Sequence, residues 1–163
     1  MDNDYPTAYG QSTDHVGKYV TYLYKSGLTL RFVINSDKAV SGVTLKMNAS
    51  VEIATEPVTF APTGDFGYTV KINGADQNYT PFTLYPHPPI AGAGMYAGDF
   101  TEVTLLTNVS LQEGENVIEL ITNNSTKLLG GTTDAMAPQV DYIKLEGYGD
   151  AKLSWKPIYD NLY

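Results

Sequence analysis

His15 and His87 are the only imidazoles in the chain, and there is no cysteine. A nucleophilic centre needs a base beside an activated hydroxyl or thiol, and no Gly-x-Ser-x-Gly elbow accompanies either histidine. His87 lies between Pro86 and Pro88, whose fixed rings stiffen the loop, and reads as a rigid surface residue rather than a base. Glycoside hydrolysis needs two carboxylates facing each other across a cleft. With 18 Asp and Glu spread along the chain, no pair stands out, and solvated surface charge accounts for them. No phosphate loop, dinucleotide fingerprint or EF-hand spacing is present. Asn48, Asn78, Asn108 and Asn124 each open a glycosylation triplet, a pattern common by chance. One chemistry is better served. Asp2, Asn3 and Asp4 cluster at the start and Asp141 lies near the end, and calcium gathers oxygen ligands from distant segments. A frayed acidic terminus explains the first cluster equally well.

The elements that must position such residues are strands. Alternating apolar and polar residues recur, and no stretch shows a helical period. Segment 28–34 alternates, as does 42–51, with Val43, Leu45, Met47 and Ala49 on one face. Segment 68–72 runs into Asn73-Gly74, a strong turn signal because both residues tolerate positive φ. A looser, Pro- and Gly-rich region spans 76–99, and a loop this long inside a compact domain is often functional. Strand signals return over 100–111, 116–121, 139–145 and 151–155, with a polar loop over 123–138. Seven to nine strands in this pattern predict an all-β fold, a two-sheet antiparallel β-sandwich of jelly-roll type.

Composition bounds the rest. A chain of 163 residues, 42% hydrophobic, has the material for one packed domain. A net charge of −8 argues against nucleic acid as partner, and no apolar run of about 20 residues is available to cross a bilayer. Met1 opens directly onto polar residues without a signal peptide, so the chain reads as a piece of something larger. Thirteen tyrosines against five Phe and one Trp suit both strands and half-wet binding surfaces, since the ring is apolar and the hydroxyl seeks water.

Three segments then occur in a telling order: Thr-Val-Lys-Ile-Asn-Gly over 69–74, Val-Ser-Leu-Gln-Glu-Gly-Glu-Asn-Val-Ile-Glu-Leu over 109–120, and Ala-Pro-Gln-Val-Asp-Tyr-Ile-Lys-Leu over 137–145. With Gly17-Lys-Tyr-Val and the strand from Leu28 to Phe32, this order resembles the β-sandwich carbohydrate-binding modules of families 6 and 35. The resemblance runs from about residue 17 to 145. It implies a module over 1–148, with 149–163 as an edge strand or the start of a linker. It implies no catalysis, and a polysaccharide or oligosaccharide ligand stacked on aromatic rings at one end of the sandwich.

By the same resemblance, Tyr19 follows the opening glycine as one stacking aromatic, and Tyr96 and Phe100 stand where the second is found. Gln139 replaces the asparagine that commonly touches the sugar, and no tryptophan occupies the platform loop. Both departures put the sugar preference in question. Structural calcium is implied too, with Asp141 as one ligand and Asp2 and Asp4 in place of a Glu-x-Glu. The expected setting is a monomeric module, secreted or cell-surface and bacterial, covalently linked to catalytic or surface domains. The rival expectation is a structural or protein-binding sandwich sharing the scaffold.

Overall fold

The computed structural model describes residues 2–3, 19–20, 27–51, 57–62, 67–85, 99–123 and 138–156, the first two by backbone alone. Among them lie twelve strands and no helix. One sheet has the order β1 (Asp2–Asn3), β2 (Tyr19–Val20), β11 (Gln139–Glu146), β4 (Val40–Ser50) and β9 (Thr101–Leu111). The second has the order β12 (Leu153–Lys156), β3 (Thr29–Ser36), β10 (Gly114–Thr122), β6 (Tyr68–Ile72) and β7 (Ala75–Gln77). Every pair is antiparallel, and a separate two-stranded ribbon joins β5 (Val58–Phe60) to β8 (Phe82–Leu84).

The predicted sandwich is the observed one, with more strands than periodicity marked. Strands β5, β7 and β8 are three residues each, too short to display an alternation. The supposed loop over 76–99 contains β8 and most of β7 for that reason.

Alternation places the core. Val43, Leu45, Met47 and Ala49 of β4 are fully buried and meet Ile143, Leu145, Leu106 and Val109 on the flanking strands. Ile34, Ile118, Leu120, Val70 and Ile72 line the facing sheet. Each such valine, leucine, isoleucine or methionine contributes about 1.5–3 kcal/mol on burial, so the inner faces hold the layers together. The outer faces carry paired charge instead. On β11–β4–β9, Lys46 lies 3.0 Å from Glu146 and 3.5 Å from Glu102, and Lys144 lies 2.8 Å from Glu146. The Tyr142 hydroxyl donates to Glu102 at 2.8 Å.

That network has a pH signature. The Tyr142 bond and the two lysines hold the Glu102 carboxyl below its ordinary value, and Lys144 and Lys46 do the same to Glu146. A lowered folded pKa adds stability above the unfolded value, near 4.3, and loses it as pH falls through the folded value. Melting temperature is therefore expected to drop on acidification below about pH 4.5, with a smaller drop in Glu146→Gln. Identical acid profiles for the two proteins would refute this origin.

The connections divide the sandwich into two unlike ends. At one, the chain turns tightly through residues 37–39, 73–74 and 112–113. Asn73 adopts φ 50° and Gly74 φ 82°, the left-handed pair that a two-residue hairpin requires. At the other end lie Val51, Gly67, Phe100, Asn123 and Pro138, the residues next to the strand ends from which the long connections run.

Candidate functional site at the loop end

The loop end is built by bonds within and between the two sheets. The Thr122 hydroxyl accepts from the Leu28 backbone N–H at 2.9 Å. The Tyr68 hydroxyl, on β6 of one sheet, donates to the Pro138 carbonyl at the head of β11 in the other. Tyr79 packs beneath this junction. Its hydroxyl donates to the Tyr68 carbonyl at 2.8 Å and accepts from the Tyr68 N–H at 3.2 Å. Burial pushes that phenol up to about 12, against the opposing effect of its bond to Tyr68. Gly67 is demanded here: a Cβ would lie 2.5 Å from the Ala61 carbonyl oxygen and 2.8 Å from the Tyr79 hydroxyl.

Strand register gathers several of the sequence-predicted residues at this end. Gln139 opens β11 opposite Ser50, the last residue of β4, and Phe100 directly precedes Thr101, which pairs with Ala49. Val20 pairs with Val140, so Tyr19 on β2 sits one residue from that pair, between β1 and β11. Gln139 and Phe100 are both largely buried, at 6% and 8% exposure. Their positions suit the floor and wall of a site better than an open platform. The side chain of Tyr19, and Tyr96 and His87 entirely, lie outside the described residues.

Asp141 occupies a β-bulge. The pairing of β11 with β4 slips between Val140 and Tyr142, leaving Asp141 as the extra residue. A bulge re-aims side chains, and here the half-buried Asp141 carboxylate accepts from Asn48 Nδ2 at 2.9 Å through Oδ2. Strand β1 lies two strands away, with Asp2 across from Val20 and Val20 across from Val140. Asp4 lies outside the described residues, and among those described no three His, Cys, Asp or Glu side chains converge. In kind, the donors Asp141 and Asp2 fit a hard, oxygen-seeking cation.

Sequence reasoning missed Asn48, Tyr68 and Tyr79. Alternation does place Asn48 and Ser50 on the outer face of β4, where polar residues are ordinary. That both are buried carries no signal in one dimension. Among the described residues the outer sheet faces carry no comparable gathering; paired charges occupy β11–β4–β9, and Arg31 bonds Glu119 at 3.2 Å on the other sheet.

A scan of protein-family models and a comparison with curated proteins find no match to this chain. Among solved structures it is similar to a family 35 carbohydrate-binding module from Cellvibrio japonicus, at 15% identity and TM-score 0.46, over 86% of this chain and 82% of that one. A family 35 module from an environmental isolate gives 13% identity and TM-score 0.47, over 90% and 85%. The module Xyl-CBM35, solved with a glucuronic-acid-containing disaccharide, gives 18% identity and TM-score 0.44, over 86% and 81%. These likenesses are distant.

Proposed function

We propose that this chain is a non-catalytic carbohydrate-binding module that takes a polysaccharide at the loop end of its sandwich. One observation carries the reading. The tertiary fold brings Gln139, Phe100 and the strand bearing Tyr19 to the end from which the long connections leave the strands, the end at which the motif order expects a sugar. A pyranose has an apolar C–H face and a hydroxylated rim, so aromatic rings with a few polar side chains suffice to hold it. Calcium belongs to the proposal as a structural ion near Asp141 and Asp2, where it would stiffen the edge beside Gln139. The module's role would be to hold linked extracellular or surface domains on a polysaccharide, raising their effective concentration there.

Affinity electrophoresis through glucuronoxylan, galactomannan, mixed-linkage β-glucan and pectin, with and without chelator, tests this. The expected result is retardation by at least one polymer, weakened by chelator and abolished in the Tyr19→Ala, Tyr96→Ala double variant. Retardation that survives the double variant refutes the residue assignment. No retardation by any polymer refutes carbohydrate binding and favours a structural sandwich. Equal melting temperatures with calcium and with chelator refute the ion.

A further inference from the structure

The β5–β8 ribbon carries side chains that neither the core nor the motif order uses. Its register pairs Val58 with Leu84, Thr59 with Thr83 and Phe60 with Phe82. One face is packed inward: Phe60 and Leu84 are buried, and the Phe82 ring lies 5.5 Å from Phe60 and 6.1 Å from Tyr79. Successive side chains of a strand point to opposite faces, so Thr59, Thr83 and then Tyr85 fall on the other. Thr59 Oγ1 and Thr83 Oγ1 are 2.8 Å apart in one hydrogen bond. Tyr85 is 67% exposed, the most exposed large hydrophobic residue among those described. Pro57, next in register opposite Tyr85, is exposed too.

Resting on the reading above, we propose that Tyr85 and the Thr59–Thr83 hydroxyl pair form an added contact for a neutral polysaccharide chain extending from the loop-end site. Three features argue for that occupant. The face offers a ring for a sugar's C–H face and, one pleat away, two hydroxyls with bonding capacity left for its rim. It is charge-neutral at Pro57, Thr59, Thr83 and Tyr85 in a chain of net charge −8, which suits an uncharged polymer over a cationic one. The ribbon is also packed against the loop end. The Phe82 ring lies tilted by 40° at 6.1 Å from Tyr79, whose hydroxyl bonds to Tyr68, and Asn123 Nδ2 donates to the Pro62 carbonyl at 3.4 Å. A tyrosine side chain has only two rotatable bonds to order when a ligand lands on it.

The full chain and its Tyr85→Ala and Tyr85→Phe variants, titrated with xylo-, manno- and cello-oligosaccharides of two and six units, provide the test. Tyr85→Ala is expected to weaken hexasaccharide binding about tenfold and to change disaccharide binding less than about twofold. Tyr85→Phe should keep both, because the ring supplies the stacking, and neither variant should shift the melting temperature of so exposed a site. Unchanged hexasaccharide affinity in Tyr85→Ala overturns the inference while leaving the loop-end site standing. An equal loss at both lengths also overturns it, since Tyr85 would then sit inside the primary site. Binding by acidic polysaccharides alone overturns the neutral chain. Failure of the unmodified protein to bind any glycan overturns this inference together with the function it rests on.

Discussion

Replacing Asn116 with alanine is expected to cost about 3 kcal/mol of unfolding free energy, among the larger effects a single side chain can have. Asn116 is fully buried on β10 and spends its whole amide on backbone and turn. Its Oδ1 accepts from the Gln112 N–H and from Asn73 Nδ2, each at 2.9 Å. Its Nδ2 donates to the carbonyls of Gln112 at 2.9 Å and Gly114 at 3.1 Å. Asn73 completes the arrangement by accepting from the Val117 N–H at 2.8 Å. Asn116 thus clamps the turn at which the chain crosses from one sheet to the other, and couples it to the Asn73-Gly74 hairpin. Alanine leaves several polar groups without partners, and a buried unmet group costs more than a made bond contributes. Urea unfolding should show a lower midpoint with an unchanged slope. Asn116→Asp should do no better, since its second oxygen would face two carbonyls. A loss below about 1 kcal/mol in Asn116→Ala would show that the clamp is dispensable.

Gly67→Ala is expected to cost about 2–4 kcal/mol and to disturb the loop end specifically. The added methyl meets the Ala61 carbonyl at 2.5 Å and the Tyr79 hydroxyl at 2.8 Å. The first of these is backbone, so rotating a side chain gives no relief. Moving Ala61 shifts the segment that joins β5 to β6, and moving Tyr79 breaks its two bonds to Tyr68. The companion variant Tyr79→Phe separates the causes: it keeps the ring packing, removes the two bonds, and should cost about 1–2 kcal/mol. If Gly67→Ala unfolds at the same denaturant concentration as the unmodified protein, the close approach is not a constraint. If Gly67→Ala lowers stability as expected, carbohydrate affinity should fall with it, because Tyr68 bonds the Pro138 carbonyl one residue before Gln139.

The two variants illustrate how unevenly the chain displays its own logic. Asn73-Gly74 was legible as turn chemistry, because positive φ depends on a few adjacent residues. The bonds between the two turns were not, since Asn73 and Asn116 meet only when β6 pairs with β10. Gly67 carried no signal at all. Its need for glycine arises from Ala61 and from Tyr79, and the Tyr79 contact exists only once β7 has folded back beside β6.

The same division runs through the candidate site. Alternation in β4 and in β10 specifies which residues enter the core, because a period of two depends only on neighbours along one strand. The all-β class, the sandwich and the separation of tight turns from long connections were therefore present in the order of residues. Which connections share an end was decided by pairing across the sheets. Val20 meets Val140, and Ser50 meets Gln139, through backbone hydrogen bonds between strands far apart in the chain. Burial was decided there too: Phe100 and Gln139, read in one dimension as ligand contacts, sit largely inside, while Tyr85, which no motif marks, stands in solvent. The bulge that turns Asp141 toward Asn48 is likewise a product of mismatch between two strands, and neither strand alone contains it. Sequence order thus determined the fold class, through local periodicity and turn chemistry. The gathering of residues at the loop end was settled by the tertiary structure, because proximity between remote segments is a property of register.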